Sequence, residues 1–136
     1  MSVPERILVT GCAGYLGSVL CEHLLAAGYQ VTGLDNGLIP VSSMLHLCHH
    51  EGFNFVRGDA RDAAVLKPLL AKADAIIPLA ALVGVKACRN DATGATTTNF
   101  GAIKLLNDLR SKEQWVIYPN TNSGYGTRTG ESFCTE

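Results

Sequence analysis

Apolar positions along this chain come in short runs and helical stripes that alternate. Ile7-Leu8-Val9, inside Arg6 to Thr10, is an unbroken apolar run and predicts a buried strand. Gly11 to Gly17 is rich in glycine. From Tyr15 to Ala27 the period turns helical, with Leu16, Val19, Leu20, Leu24 and Ala27 on one stripe and Gly28 where a helix stops. Gln30 to Leu34 predicts a second strand, closed by the turn signal Asp35-Asn36-Gly37. Residues 38–52 are ambiguous: Ser42 or Ser43 is placed to cap a short helix through Cys48, and Gly52 closes it. Phe53 to Arg57 predicts a third strand ending in Gly58-Asp59, and Asp62 caps a helix from Ala63 to about Lys72. Ala75 to Leu79 predicts a fourth strand, with a loop through Asp91. Thr98 to about Lys112 predicts a long helix with Asn99, Ile103 and Leu106 on one face, and Trp115 to Tyr118 a fifth strand.

The strands read as continuous apolar runs and alternate with helices. That pattern belongs to an α/β fold with a parallel sheet covered on both faces. Its crossovers are right-handed.

Composition narrows the classes of function. Ile, Leu, Val and Phe total 37 of 136 residues, too many for a disordered chain. A formal charge of −1 excludes a binder of nucleic acid or anionic membrane that works through bulk charge. The longest uncharged apolar stretch, Ala75 to Val85, is 11 residues, whereas a membrane span needs about 20. No membrane contact is expected. Pro4, Glu5 and Arg6 precede the first apolar run, so no signal peptide is expected either. The five cysteines are scattered and form no Cys-x-x-Cys pair, which suits reduced thiols in a cytoplasmic protein. His46, Cys48, His49 and His50 have no matching second pair of ligands and are expected to be a solvated cluster, with no metal.

Three motifs carry chemistry. Gly11-Cys12-Ala13-Gly14-Tyr15-Leu16-Gly17 follows a strand and opens a helix, the context in which a glycine triplet binds a dinucleotide. Gly11 permits the turn, Gly14 leaves no Cβ in front of a pyrophosphate, and Gly17 lets the helix lie close to the sheet. The helix N–H groups then face the anion. Gly11, Ala13, Gly14, Tyr15, Leu16 and Gly17 are therefore cofactor-binding candidates. Asp35 lies 18 residues after Gly17, at the end of the second strand. A carboxylate there accepts the adenosine ribose hydroxyls and repels a 2′-phosphate. Asn36 and Gly37 supply no compensating Arg, so NAD is expected over NADP. Asp59, after the third strand, is placed to accept the adenine amino group, with the Ala60 backbone completing the contact; helix capping is the alternative for this stretch.

Together these residues resemble the extended short-chain dehydrogenase/reductases, and among them the nucleotide-sugar epimerases and dehydratases. The resemblance rests on Thr10-Gly-Cys-Ala-Gly-Tyr-Leu-Gly17, Asp35-Asn36, Gly58-Asp59-Ala-Arg-Asp62, Leu79-Ala80-Ala81, Asn99 and Asn120-Thr-Asn-Ser-Gly-Tyr-Gly126, in the family's order and spacing. It implies a doubly wound, Rossmann-type parallel sheet of five strands in the order 3-2-1-4-5, with NAD across its carboxyl edge. It implies that the loop Leu79, Ala80, Ala81, Leu82 and Val83 passes under the nicotinamide ribose, and that Lys86 either reaches the cofactor or is solvated. Asn99 shares a helix face with Ile103 and Leu106, so it is expected to be buried; in the family it belongs to the active-site network. Thr121, four residues before Tyr125, is implied to be the catalytic hydroxyl that orients the sugar, with Ser123 as its rival. A nucleoside-diphosphate sugar is the implied substrate, and a homodimer the implied assembly.

The sequence also departs from the family. The base there is the Tyr of a Tyr-x-x-x-Lys motif, and the residues four after Tyr15, Tyr29, Tyr118 and Tyr125 are Val19, Gly33, Asn122 and Thr129. Residues 1–136 are thus expected to be the incomplete NAD-binding part of a longer enzyme, itself inactive. Pro78, Asn120 and Gly124 are milder departures. A dehydratase of the family carries Asp-Glu after the catalytic Thr, where this chain has Asn122-Ser123, which favours an epimerase or a reductase. A non-catalytic NAD(P)-binding regulatory module is the alternative from another class.

Overall fold

The computed structural model describes residues 4–38 and 41–120. Five parallel strands form one sheet in the order β3-β2-β1-β4-β5. They are β1 (Arg6–Thr10), β2 (Gln30–Asp35), β3 (Phe53–Arg57), β4 (Ala75–Pro78) and β5 (Trp115–Val116). The helices are α1 (Tyr15–Ala26), α2 (Ala63–Leu70), α3 (Val85–Asn90), α4 (Ala92–Thr96) and α5 (Ala102–Leu109), with a 3₁₀ helix at Val41–Leu47 and a π-helical turn at Thr97–Gly101. The strand order is the expected one, and all pairings are parallel.

Alternation along the strands builds two cores, because neighbouring side chains leave a strand on opposite faces. Ile7, Val9, Val31, Ala75 and Ile77 point to one face, where Cys21 and Leu25 of α1 and Met44 and Leu47 of the 3₁₀ helix cover them. Leu8, Leu34 and Ile76 point to the other, under Leu66 and Leu70 of α2 and Leu106 of α5. The unbroken apolar runs are explained: each strand needs apolar residues on both sides. α2 starts where Asp62 accepts the Ala64 N–H at 2.8 Å, as expected of a capping carboxylate. β1 is tied to the start of β4 by Asp74, whose carboxylate takes the backbone N–H groups of Glu5 and Arg6 and the Arg6 guanidinium.

Four elements differ from the sequence expectation. The buried line of α1 is Gly17, Cys21 and Leu25, while Leu16 and Val19 are exposed. Small Gly17 brings the helix close to the sheet, which rotates the larger apolar residues off the contact. The expected loop from residue 80 to Asp91 contains α3. The expected helix from Thr98 is broken by the π-helical turn, whose extra residue per turn shifts the helix face. Asn99 is therefore exposed, and the buried positions are Ala102 and Leu106. The ladder of β5 is shorter than Trp115 to Tyr118, although the Ile117 N–H still donates to the Ile76 carbonyl at 3.0 Å. β5 lies at the rim of the sheet, with Trp115, Val116, Ile117 and Tyr118 exposed.

Candidate functional site

The loop between β1 and α1 is shaped by contacts that exclude side chains. Gly11 has φ +73°, and its N–H donates to the Leu34 carbonyl at 2.7 Å. A Cβ on Gly11 would stand 2.7 Å from the Ala80 backbone nitrogen, so β1 and β4 close around it. A Cβ on Gly17 would strike the Gly11 carbonyl oxygen and come within 2.8 Å of the Cys12 Cα. Gly14 caps α1 without a side-chain hydrogen bond, and a Cβ there would meet only the Gly11 oxygen, at 3.3 Å. Its remaining face is open. Among the described residues, no acceptor takes the N–H groups of Tyr15, Leu16 or Gly17. They are the orphan donors of a helix start, where the helix dipole is positive.

The carboxylate of Asp35, at the end of β2, is anchored on both oxygens. Oδ2 accepts the Ala13 N–H at 3.0 Å, and Oδ1 accepts the Gly37 N–H at 2.8 Å. Ser43 Oγ donates to the Ala13 carbonyl at 2.8 Å. The backbone of Ala13 is thus held from both sides, by a strand end and by the 3₁₀ helix. Ser43 is a cross-brace here rather than the helix cap expected from its position. Asn36 Oδ1 accepts the Leu38 N–H at 2.9 Å and shapes the turn.

The opposite wall comes from the ends of β3 and β4 and from the helices after them. Arg61 forks onto Asp59 at 2.6 to 3.1 Å and reaches Thr97 Oγ1 at 3.0 Å. Hydrogen bonding from Arg61 is the largest cause that holds the Asp59 carboxyl below its usual range. Asp91 accepts the Gly94 N–H at 2.7 Å and starts α4. Asn99 makes a two-way bond to Leu82: its Oδ1 accepts the Leu82 N–H at 2.7 Å and its Nδ2 donates to the Leu82 carbonyl at 2.8 Å. Asn99 therefore pins the loop after β4, without being buried. Buried Thr10 adds a second pin, its Oγ1 accepting the Ala80 N–H at 3.3 Å.

Between these walls runs a crevice of about 300 Å³ across the carboxyl ends of the central strands. Of the residues singled out by sequence, it brings together Gly11, Gly14, Asp35, Asn36, Asp59, Ala60, Leu79, Ala80 and Ala81. Others stand outside its lining. Ala13 is buried behind the loop, Tyr15 is 92% and Val83 76% exposed, and Leu16, Gly17 and Asn99 frame the walls without facing the space. Lys86 is exposed on α3. Thr121, Ser123 and Tyr125 lie outside the described residues. Leu82, of the loop expected under the nicotinamide ribose, lines it too; sequence reasoning placed Gly58 and Arg61 in a motif without giving them a role, and passed over Leu34, Leu38, Asp91, Gly94 and Thr98, which also line the crevice. For Arg61 a signal existed, since an Arg two residues from an acid at a strand end is spaced to pair with it. Cys12 and Cys21 lie beneath the loop, and burial pushes both thiols up to about 12, the thiol form that does not react.

The comparisons with known proteins agree with this geometry. Residues 7–135 match the NAD dependent epimerase/dehydratase family. UDP-glucose 4-epimerase of Mycolicibacterium smegmatis is 37% identical over 128 residues, covering 90% of this chain and 41% of that protein. UDP-glucuronic acid 4-epimerase from Bacillus cereus, solved with UDP-glucuronic acid and NAD, is 30% identical with a TM-score of 0.82, covering 94% of this chain and 44% of that one. A double mutant of the dTDP-glucose 4,6-dehydratase DesIV from Streptomyces venezuelae, solved with NAD bound, is 31% identical with a TM-score of 0.83, covering 94% and 43%. The chain spans about two fifths of the length of the curated relatives it matches. With a glycine loop, an anchored acid and a crevice at the switch point of a 3-2-1-4-5 sheet, this chain belongs to the NAD dependent epimerase/dehydratase family, whose cofactor is NAD.

Proposed function

We propose that residues 1–136 form the NAD-binding part of a nucleoside-diphosphate-sugar epimerase. One observation carries the reading: the bare face of Gly14 and the carboxylate of Asp35 line one crevice, and Gly14 caps the helix start whose N–H groups, those of Tyr15, Leu16 and Gly17, have no acceptor among the described residues. Those parts suit a dinucleotide. The helix start and Gly14 accommodate the diphosphate. Each Asp35 oxygen has given one lone pair to a backbone N–H and keeps another for a ribose hydroxyl. Asn36 lies beside that ribose. The Ala60 backbone takes the adenine edge, and because Asp59 is forked by Arg61, its contribution there is the weaker one. Leu79, Ala80, Ala81 and Val83 run under the nicotinamide ribose, in the conformation that Asn99 and Thr10 hold.

When bound, NAD supplies the hydride acceptor and donor of the reaction. The chain's own residues bind, orient and exclude water. Thr121 orients the sugar hydroxyl whose carbon is oxidised and then reduced on the other face. The proton of that hydroxyl requires a base, and no Tyr of this sequence is followed four residues on by Lys. On that account the 136-residue chain binds NAD without turning over substrate. Asn122-Ser123 after Thr121 favour epimerase over dehydratase chemistry, and a reductase would use the same parts. Two copies of the complete enzyme pair through helices bordering the crevice, a reading supported by the exposure of Val85 on α3 and Phe100 on the π-helical turn. Unreactive buried thiols suit a cytoplasmic place.

Titration calorimetry of the chain with NAD and NADP tests the reading. NAD binds, and NADP binds more weakly because its 2′-phosphate meets Asp35. Absence of NAD binding would falsify the assignment of the crevice, and equal affinities would remove the role given to Asp35.

A further inference from the structure

Beside the turn after β2, just outside the crevice lining, lies a cation that the local sequence around Asp35 does not reveal. Asn36 and Gly37 offer no positive charge, but Arg57 is the register partner of Asp35 across the parallel pair β2–β3. Register partners in parallel strands project to the same side of the sheet. The Arg57 side chain therefore leaves β3 on the side of Asp35, beyond the last apolar layer. It runs under the turn after β2: a Cβ built on Gly37 would stand 3.4 Å from Nε and 3.6 Å from a terminal nitrogen of Arg57. Gly37 is also the residue whose N–H holds Asp35 Oδ1, so the guanidinium borders the peptide that carries the ribose acid. Arg57 makes no hydrogen bond or ion pair within the described residues. This contrasts with Arg61, whose fork is occupied by Asp59. Arg61, in the crevice lining, is thus spent on a neighbour, while Arg57, outside the lining and beside Gly37, is still available.

We infer that Arg57 is a specificity-determining residue: its unspent guanidinium, beside Gly37 and Asp35, accepts the 2′-phosphate of NADP and limits how strongly the crevice rejects that dinucleotide. The inference rests on the dinucleotide reading above. Two opposed charges meet one ligand group. Asp35 repels the 2′-phosphate at the ribose, and Arg57 receives it just outside, where a planar fork pairs two phosphate oxygens at once. NADP is then a second, weaker ligand.

The test is calorimetry with NAD and NADP on the chain and on Arg57→Gln and Arg57→Lys, reading the ratio of the two dissociation constants. In the unaltered chain NADP binds within about tenfold of NAD. In Arg57→Gln the ratio widens by about a further tenfold, the size of one lost charge-assisted contact. In Arg57→Lys it recovers part of the way, because charge returns without the fork. A ratio that Arg57→Gln leaves unmoved while NAD still binds overturns this inference alone. Failure of the unaltered chain to bind either dinucleotide overturns the dinucleotide reading, and this inference with it.

Discussion

Asp35 shows how one side chain serves two ends. Its carboxylate fastens the Ala13 and Gly37 backbones and still faces the crevice. In Asp35→Asn the amide has one acceptor oxygen, so one of those N–H groups loses its partner. Urea unfolding should register a loss of about 1–2 kcal/mol. An unchanged midpoint would mean that the two bonds are replaced by water without cost. Gly14 tests the other half of the site. Gly14→Ala places a methyl on the open face of the loop, against the Gly11 oxygen alone. Stability should change by less than about 1 kcal/mol, while NAD affinity falls at least about tenfold in calorimetry. Asp35 and Gly14 were legible in the sequence, because their places follow from a motif and a fixed spacing along adjacent elements. Ser43 and Arg57 were not. Their contacts with Ala13 and Gly37 depend on how residues 36–57 return across the sheet, which no local pattern encodes.

For an element, the decisive quantity is how closely it approaches its neighbour. α1 rests on the sheet through Gly17, where an added Cβ meets backbone that cannot move aside. Gly17→Ala should lower stability by about 3 kcal/mol in the same urea titration, the cost of overpacking. A loss as small as that of Gly14→Ala would mean that the helix can lift away. The ladder between β1 and β4 is reinforced at its start by an ion pair, Arg6 with Asp74. Asp74 is held below the usual carboxylate range, first by the hydrogen bond from the Arg6 side chain and then by the Arg6 backbone N–H. A carboxyl depressed in the folded state stabilises above its unfolded value, about 3.9, and that contribution fades as pH falls through the folded value. Thermal stability should therefore drop as pH is lowered below about 4. Asp74→Asn should flatten the drop, by a small amount since the pair is solvated. An unaltered acid slope in the variant would assign the effect elsewhere. The five strands were readable as apolar runs. The π-helical turn was not: a single extra residue per turn displaced Asn99 from the face that periodicity had assigned to it. Its hydrogen bonds to Leu82 could not be read from the chain at all.

At the level of the whole molecule, the two-sided sheet protects what lies within it. Cys12 and Cys21 are fully covered, whereas Cys48 is exposed. Iodoacetamide at pH 8 should modify Cys48 in the native chain, and reach Cys12 and Cys21 only once denaturant is added, as mass spectrometry of the peptides would show. Native labelling of Cys12 at the rate of Cys48 would contradict the packing of α1 on the sheet. The layered architecture was the most legible feature, since doubly apolar strands alternating with helices leave few other arrangements. The crevice composition was half legible: the loops that supply Gly11, Asp35 and Asp59 announce themselves, while Leu38, Asp91 and Thr98 arrive from distant segments.

The outer flank of β5 has a consequence for handling this chain. Its backbone groups have no strand beyond them among the described residues, and Trp115, Ile117 and Tyr118 beside them are greasy and wetted. Such a flank is a template on which other molecules can lay down strands. Concentrated solutions should scatter light in proportion to crowding, and Ile117→Lys should keep them clear by placing a charge on the template. If the unaltered chain stays monodisperse at high concentration, that flank is shielded in solution.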